Sequence, residues 1–144
     1  MAYQSFESLE VWQRACRLAR DIYKTFERSQ DFGLKDQMTR AAVSIPSNIA
    51  EGYERGSNKE FRRFLNIASG SAAELRTQLY IAYSIELINK ETKDQLIEET
   101  RGIGAMLRAL SKSRADKTNE PAGHYEVDGS AFSEPGNRNP EPGS

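Results

Sequence analysis

At 144 residues the chain suits one domain, large enough to bury an apolar core without staples. Its single cysteine, Cys16, excludes an intramolecular disulfide and a cysteine-held zinc, and it agrees with a reducing, cytoplasmic setting. The net charge of −1 hides an asymmetry: residues 1–117 carry 19 Lys and Arg against 16 Asp and Glu, whereas residues 118–144 carry 1 Arg against 5 acids.

The opening residues 1–7 hold no basic region followed by an apolar one, so no signal peptide is read there. Nowhere do about 18 apolar residues run together, so no membrane span is expected. The first predicted helix runs from about Leu9 to Phe26. Leu9, Trp12, Ala15, Cys16, Leu18, Ala19, Ile22, Tyr23 and Phe26 fall on one half of its wheel. A loop is expected over Ser29-Gln30-Asp31-Phe32-Gly33. The second helix runs from about Leu34 to Tyr53, and Leu34, Met38, Ala41, Ala42, Ile45 and Ile49 keep a three-four spacing across Pro46. A proline inside a helix removes one hydrogen bond and costs ~3 kcal/mol or more. The unbroken apolar register still predicts one kinked helix rather than two.

The third helix has the clearest start. Gly56 breaks what precedes it, and Ser57-Asn58-Lys59-Glu60 reads as a capping box. A long stripe follows through Phe61, Phe64, Leu65, Ala68, Ala72, Leu75, Leu79, Ala82, Tyr83 and Leu87. The fourth helix starts at Asn89, a favoured cap, and repeats Leu96, Ile97, Thr100, Ile103, Gly104, Leu107 and Leu110 up to about Ser113. Short connections make neighbours antiparallel, so the expected fold is all-α: an up-down-up-down four-helix bundle over residues 1–117. Residues 118–144 hold four of the five prolines and four of the ten glycines, and read as an acidic, disordered tail.

One run is distinctive: Gln37-Met38-Thr39-Arg40-Ala41-Ala42-Val43-Ser44-Ile45-Pro46-Ser47-Asn48-Ile49-Ala50-Glu51-Gly52. It continues through Ser57-Asn58-Lys59-Glu60-Phe61, Phe64-Leu65-Asn66-Ile67-Ala68-Ser69-Gly70-Ser71 and Glu74-Leu75-Arg76-Thr77-Gln78-Leu79, and is preceded by Phe6-Glu7-Ser8-Leu9-Glu10-Val11-Trp12. Over residues 6–113 the chain resembles the four-helix-bundle proteins encoded within intervening sequences of 23S rRNA genes. The resemblance implies a homopentamer without assigned catalytic activity. A relative of that family is the accessory variability protein of diversity-generating retroelements, which is strongly basic and works with a reverse transcriptase and its RNA. This chain departs from that relative in its net charge and acidic tail. It also reads Tyr83-Ser84-Ile85-Glu86-Leu87-Ile88 where many members have a glycine-aromatic turn.

No catalytic constellation is expected. The lone histidine, His124, lies in the tail with nothing to position it as a base. Cys16 sits on an apolar helix half, where a cysteine behaves as a small hydrophobe. A di-iron site in a four-helix bundle needs two E-x-x-H pairs, and one histidine cannot supply them. No phosphate-binding glycine loop and no zinc-protease motif occurs. No cofactor or metal is therefore expected.

Charge marks the candidate site. Arg14, Arg17, Arg20, Lys24 and Arg28 of the first helix fall within an arc of ~120°. The fourth adds Arg101, Arg108 and Lys112 at i, i+7 and i+11. Such rows attract phosphates, with affinity falling as salt rises; the bland alternative is a solvated face. Five bodies of +3 would total +15, against −5 for five whole chains, so the tail is expected to screen the basic face. A second group, Arg40, Ser44, Pro46, Asn48, Glu51, Ser57, Glu60, Glu74 and Gln78, lies in the distinctive run. It reads either as a subunit or partner contact, or as internal chemistry. In the latter, Ser44 and Asn48 serve carbonyls freed at Pro46, and Arg40 pairs with Glu74 or Glu51. Phe61, Phe64, Tyr53 and Tyr80 are read as core or subunit contacts ahead of base-stacking rings. The function read from this is a non-enzymatic, homo-oligomeric module that binds RNA or DNA, or a nucleic-acid enzyme such as a reverse transcriptase. The alternative is a structural scaffold with no nucleic-acid role.

Overall fold

The structure, a computed structural model, describes residues 5–115. The tail and His124 lie outside the described residues. A 3-10 turn over Phe6–Ser8 leads into four helices: α1 (Glu10–Thr25), α2 (Phe32–Glu54), α3 (Asn58–Ser84) and α4 (Lys90–Ala115). No strand occurs among the described residues.

Helix α1 buries Val11, Ala15, Leu18, Ala19 and Ile22, the three-four stripe expected of an amphipathic helix. Tyr23, predicted on that stripe, lies at its edge and is more than half exposed. The 3-10 turn ahead of α1 was not read from the sequence; it lays Phe6 edge-on against Trp12, with ring centroids 5.2 Å apart.

Helix α2 starts two residues earlier than predicted. Asp31 is its cap, accepting a hydrogen bond from the Leu34 amide at 3.1 Å, so Phe32 and Gly33 are helical rather than loop. The helix then runs unbroken through the buried Pro46. On α3, Ser57 caps as expected by accepting from the Glu60 amide at 3.1 Å. The Glu60 carboxylate lies against Arg63 at 3.2 Å and Arg55 at 3.9 Å. The 27 residues of α3 span roughly 40 Å.

Helix α3 ends at Ser84, earlier than the predicted stripe, and leaves Tyr83, Ile85 and Leu87 exposed. The reason is a Schellman turn: the Leu87 amide bonds the Ala82 carbonyl at 2.9 Å and the Glu86 amide bonds that of Tyr83 at 3.0 Å. Glu86 occupies the left-handed position at φ 69°, where a side chain is strained and glycine is not. Asn89 caps α4 as predicted, its Oδ1 accepting from the Thr92 amide at 2.8 Å.

Each helix packs on its chain neighbours, and α1 closes the ring against α4. Ser44 meets Ser71 while Gly52 meets Phe64, and Arg62 meets Ser111 while Tyr80 meets Arg101, so α2–α3 and α3–α4 run antiparallel. Leu18, Ile22, Met38, Ile45, Ile49, Leu65, Leu75, Leu79, Ile103 and Leu107 fill the centre. Thr100, also buried, donates to its own Leu96 carbonyl at 2.7 Å. Helices α2 and α3 approach closely at Gly52. A Cβ on Gly52 would stand 2.5 Å from the Phe64 Cβ, so only glycine permits this spacing.

Two substitutions test these positions. Glu86→Gly is expected to stabilise the fold by about 1 kcal/mol, with Glu86→Ala giving no such gain, as read from denaturant melts. Gly52→Ala is expected to cost about 1–3 kcal/mol through overpacking against Phe64, visible as a lowered midpoint with an unchanged slope.

Candidate nucleic-acid interface

The structure divides the predicted cations of the first helix. Arg14 turns inward toward α4, its Nε and Nη2 each donating at 3.0 Å to the two oxygens of Glu99. Its Nη1 lies 3.2 Å from the Met106 sulfur, and its guanidinium covers Gly102, where a Cβ would come within 2.8 Å. The hydrogen bond to Glu99 outweighs burial and raises the Arg14 pKa further. Arg14 is thus a buttress between α1 and α4, and it leaves the predicted basic row. Arg20 lies 3.6 Å from Asp21. Arg17, Lys24 and Arg28 are exposed, with Asp21 and Glu27 interspersed along the same segment.

A cleaner basic surface forms between α3 and α4. From Thr100 to Ala115, α4 carries Arg101, Arg108, Lys112 and Arg114 and no acid. Arg101, Arg108 and Lys112 are exposed, and none of them joins an ion pair among the described residues. The facing stripe of α3 brings Arg62, whose Nε donates to the Ser111 carbonyl at 3.1 Å. Arg76 lies on that stripe too, one turn from Tyr80, whose hydroxyl receives Arg101 Nη2 at 3.4 Å. The one acid of α3 between Phe61 and Ser84 is Glu74, which approaches Gln78. Neither Arg62 nor Arg76 was singled out from the sequence; recognising them requires the α3–α4 register.

At one end of this surface Lys93 stacks over Tyr83 at 4.6 Å and Tyr80 at 5.9 Å. Its ammonium also pairs with Asp94 at 2.9 Å, and Lys90 pairs with the other Asp94 oxygen at 2.8 Å. Hydrogen bonds from Lys90 and then Lys93 hold the Asp94 carboxyl below the usual carboxylate range, so it stays ionised and neutralised.

The polar group of the distinctive run resolves differently from its internal reading. Arg40 reaches neither Glu74 nor Glu51. It is 78% exposed and pairs with Asp36 at 2.9 Å along its own helix. Glu51 pairs with Arg55 at 3.0 Å in the same manner. Asn48 does not turn back to the Ala42 carbonyl that Pro46 leaves without its usual donor. Its amide donates to the Ser44 carbonyl at 2.8 Å and the Ser44 hydroxyl at 2.9 Å. That hydroxyl lies 2.8 Å from the Ser71 hydroxyl, which makes a polar clasp across α2 and α3. Gln78 is buried with its Oε1 lacking a hydrogen-bond partner among the described residues.

Of the four aromatic rings, Phe61 and Phe64 are buried and already covered by Arg114 at 5.2 Å and by Arg55 and Arg63 at 4.9 and 4.6 Å. Tyr53 packs edge-on against Phe61. Tyr80 differs, at 45% exposed beside Arg101. Burial pushes the Cys16 thiol up despite the nearby Arg17 charge, away from a reactive thiolate. Among the described residues no group of three or more His, Cys, Asp or Glu gathers where it could hold a metal. No described helix is long and apolar enough to cross a membrane. An open cleft of ≈ 360 Å³ between the start of α1 and the end of α4 is apolar, with Glu10 its one titratable group.

The chain is similar to the solved structure of a protein of unknown function from the S23 ribosomal protein family of Bacteroides thetaiotaomicron, at 26% identity and a TM-score of 0.67. The likeness covers 71% of this chain and 98% of that one. No curated protein matches. Residues 7–109, from the 3-10 turn nearly to the end of α4, match the description "23S rRNA-intervening sequence protein". With most of its length and all four of its helices accounted for in this way, the chain belongs to the 23S rRNA-intervening sequence protein family.

Proposed function

We propose that this protein is a non-catalytic, cytoplasmic module that assembles with copies of itself and binds nucleic acid, or a nucleic-acid-bound partner, on the α3–α4 face. One observation carries the proposal: α4 holds Arg101, Arg108 and Lys112 on a stretch without a single acid, opposite Arg62 and Arg76. A merely solvated helix face mixes its signs, as the i,i+4 pairs on α2 do. Segregated cations raise the local potential and exchange condensed counterions for phosphate contacts. The exposed Arg17, Lys24 and Arg28 of α1 supply a second, weaker contact, because acids interrupt them. A reverse transcriptase bound to its RNA is one partner such a face suits.

Self-assembly is supported by the outer α2–α3 face. Val43 and Ile67 are exposed on either side of the Ser44–Ser71 clasp, and Gly70 is open to space. Around them Arg40–Asp36, Arg55–Glu51 and Arg63–Glu60 cancel within the chain. A face of small and β-branched residues ringed by neutral pairs meets another copy without net repulsion. The basic faces do not have that property.

Two measurements test this. Affinity for an RNA oligonucleotide is followed against salt; for single strands each neutralised phosphate contributes a slope of about 0.7. Replacing Arg101, Arg108 and Lys112 together by Gln is expected to flatten the slope by about 2 while the melt is unchanged. The Arg17, Arg20 and Lys24 triple alanine is expected to have a smaller effect. Absence of binding at low salt, or a slope indifferent to the α4 triple, overturns the nucleic-acid role. Light scattering of Ile67→Glu is expected to show a folded monomer, against an assembly for the parent chain; an unchanged mass refutes the α2–α3 contact.

A further inference from the structure

We infer that the α3–α4 face binds single-stranded nucleic acid in preference to duplex, with Tyr80 and Tyr83 as its base-stacking platform. The inference rests on the nucleic-acid reading of that face and adds the class of ligand. Cations alone do not distinguish strand types, since every phosphate chain satisfies them. Unpaired bases differ from paired ones in offering an open π-face, and an exposed aromatic ring beside a phosphate track is the chemistry that detects it.

The two tyrosines have the required placement. Both leave the apolar stripe of α3 and stand exposed, at 45% and 37%, although tyrosine carries enough apolar area to favour burial. They flank one end of the cationic row. From Arg101, which touches the Tyr80 hydroxyl, the row extends through Arg108 to Lys112 over roughly 16 Å of helix. That length serves several nucleotides of one strand. Lys93, paired with Asp94, places its ammonium over one face of each ring, 4.6 Å from the Tyr83 centre and 5.9 Å from that of Tyr80. Acids close to the platform are Asp94, neutralised by two lysines, Glu98, one turn before Arg101, and Glu86, beyond the end of α3. They guard the platform end, whereas the row beyond Thr100 is free of them. A strand is therefore held with its phosphates on α4 and its bases turned toward Tyr80 and Tyr83.

The test compares a labelled single-stranded RNA oligonucleotide, its annealed duplex, and an abasic sugar-phosphate strand of equal length, all with the full chain. The parent protein is expected to bind the single strand tightest. Tyr80→Ala is expected to lose roughly 5- to 100-fold on the single strand, with little change on the duplex or the abasic strand, and Tyr80→Phe to retain most of the affinity. Arg108→Gln is expected to weaken all three probes. Equal or tighter binding of the duplex overturns the inference, as does an unchanged single-strand affinity for Tyr80→Ala, provided Arg108→Gln still weakens binding. That outcome leaves the basic face standing as a duplex site. If Arg108→Gln also changes nothing, or if no probe binds at low salt, the functional reading falls along with the inference.

Discussion

The contact between Gly52 and Phe64 sets the spacing of α2 and α3, and much of the surface depends on that spacing. With the missing Cβ, the two backbones approach until Ser44 and Ser71 are within hydrogen-bonding reach. The clasp they form with Asn48 satisfies polar groups on a seam that is half-buried, where an unmet donor would cost about 1–3 kcal/mol. Close packing on this side leaves little room for long side chains. The face next to the seam is small and β-branched, with Val43, Ile67 and Gly70, and the arginines around it are paired within the chain.

Sorting of charge follows from the same geometry. Arg14 and Glu99 belong to helices that meet only through the ring closure of α1 on α4, and their bidentate pair lies across a glycine that makes room for it. Arg40, Arg55 and Arg63 are each neutralised within a turn of their own helix or at its cap. What remains is Arg101, Arg108 and Lys112, exposed and outside the ion pairs of the described residues, and such a set is the part of a charged surface available to a partner.

The architecture was legible because each helix carries its own periodic stripe and two carry strong caps, Ser57 and Asn89, which act within four residues of sequence. The early start of α2 was missed because the signals of Gly33 and of a turn-prone Ser29-Gln30-Asp31 outweighed the capping capacity of Asp31. The end of α3 was placed too late because Tyr83 and Leu87 extend the apolar spacing, while the turn that stops the helix uses Glu86 where glycine would have announced it. The basic site was half legible. Cations of one helix can be counted on a wheel, so the exposed row on α4 is readable from the sequence, whereas the inward turn of Arg14 toward Glu99 is not. Its partner lies 85 residues away, a relation that helical periodicity does not encode. Arg62 and Arg76 were passed over for the same reason.

The two proposed faces gain from being on opposite sides of α3. If copies join through the α2–α3 seam, the α3–α4 groove of every copy stays open, and the assembly repeats one weak phosphate track at fixed intervals. A strand held at one groove then meets the next at an effective concentration set by the spacing of the copies, so modest single-site affinity becomes firm retention without new contacts. This arrangement relieves each chain of carrying a strongly basic surface. In such an assembly few cations per copy would suffice, so a net charge of −1 is compatible with the proposed nucleic-acid role. It also predicts a coupling between the faces: a variant that is monomeric through Ile67 keeps its groove intact yet loses retention on a long strand far more than on a short one. Equal losses on both lengths would mean that Ile67 acts on the groove itself and that repetition contributes nothing.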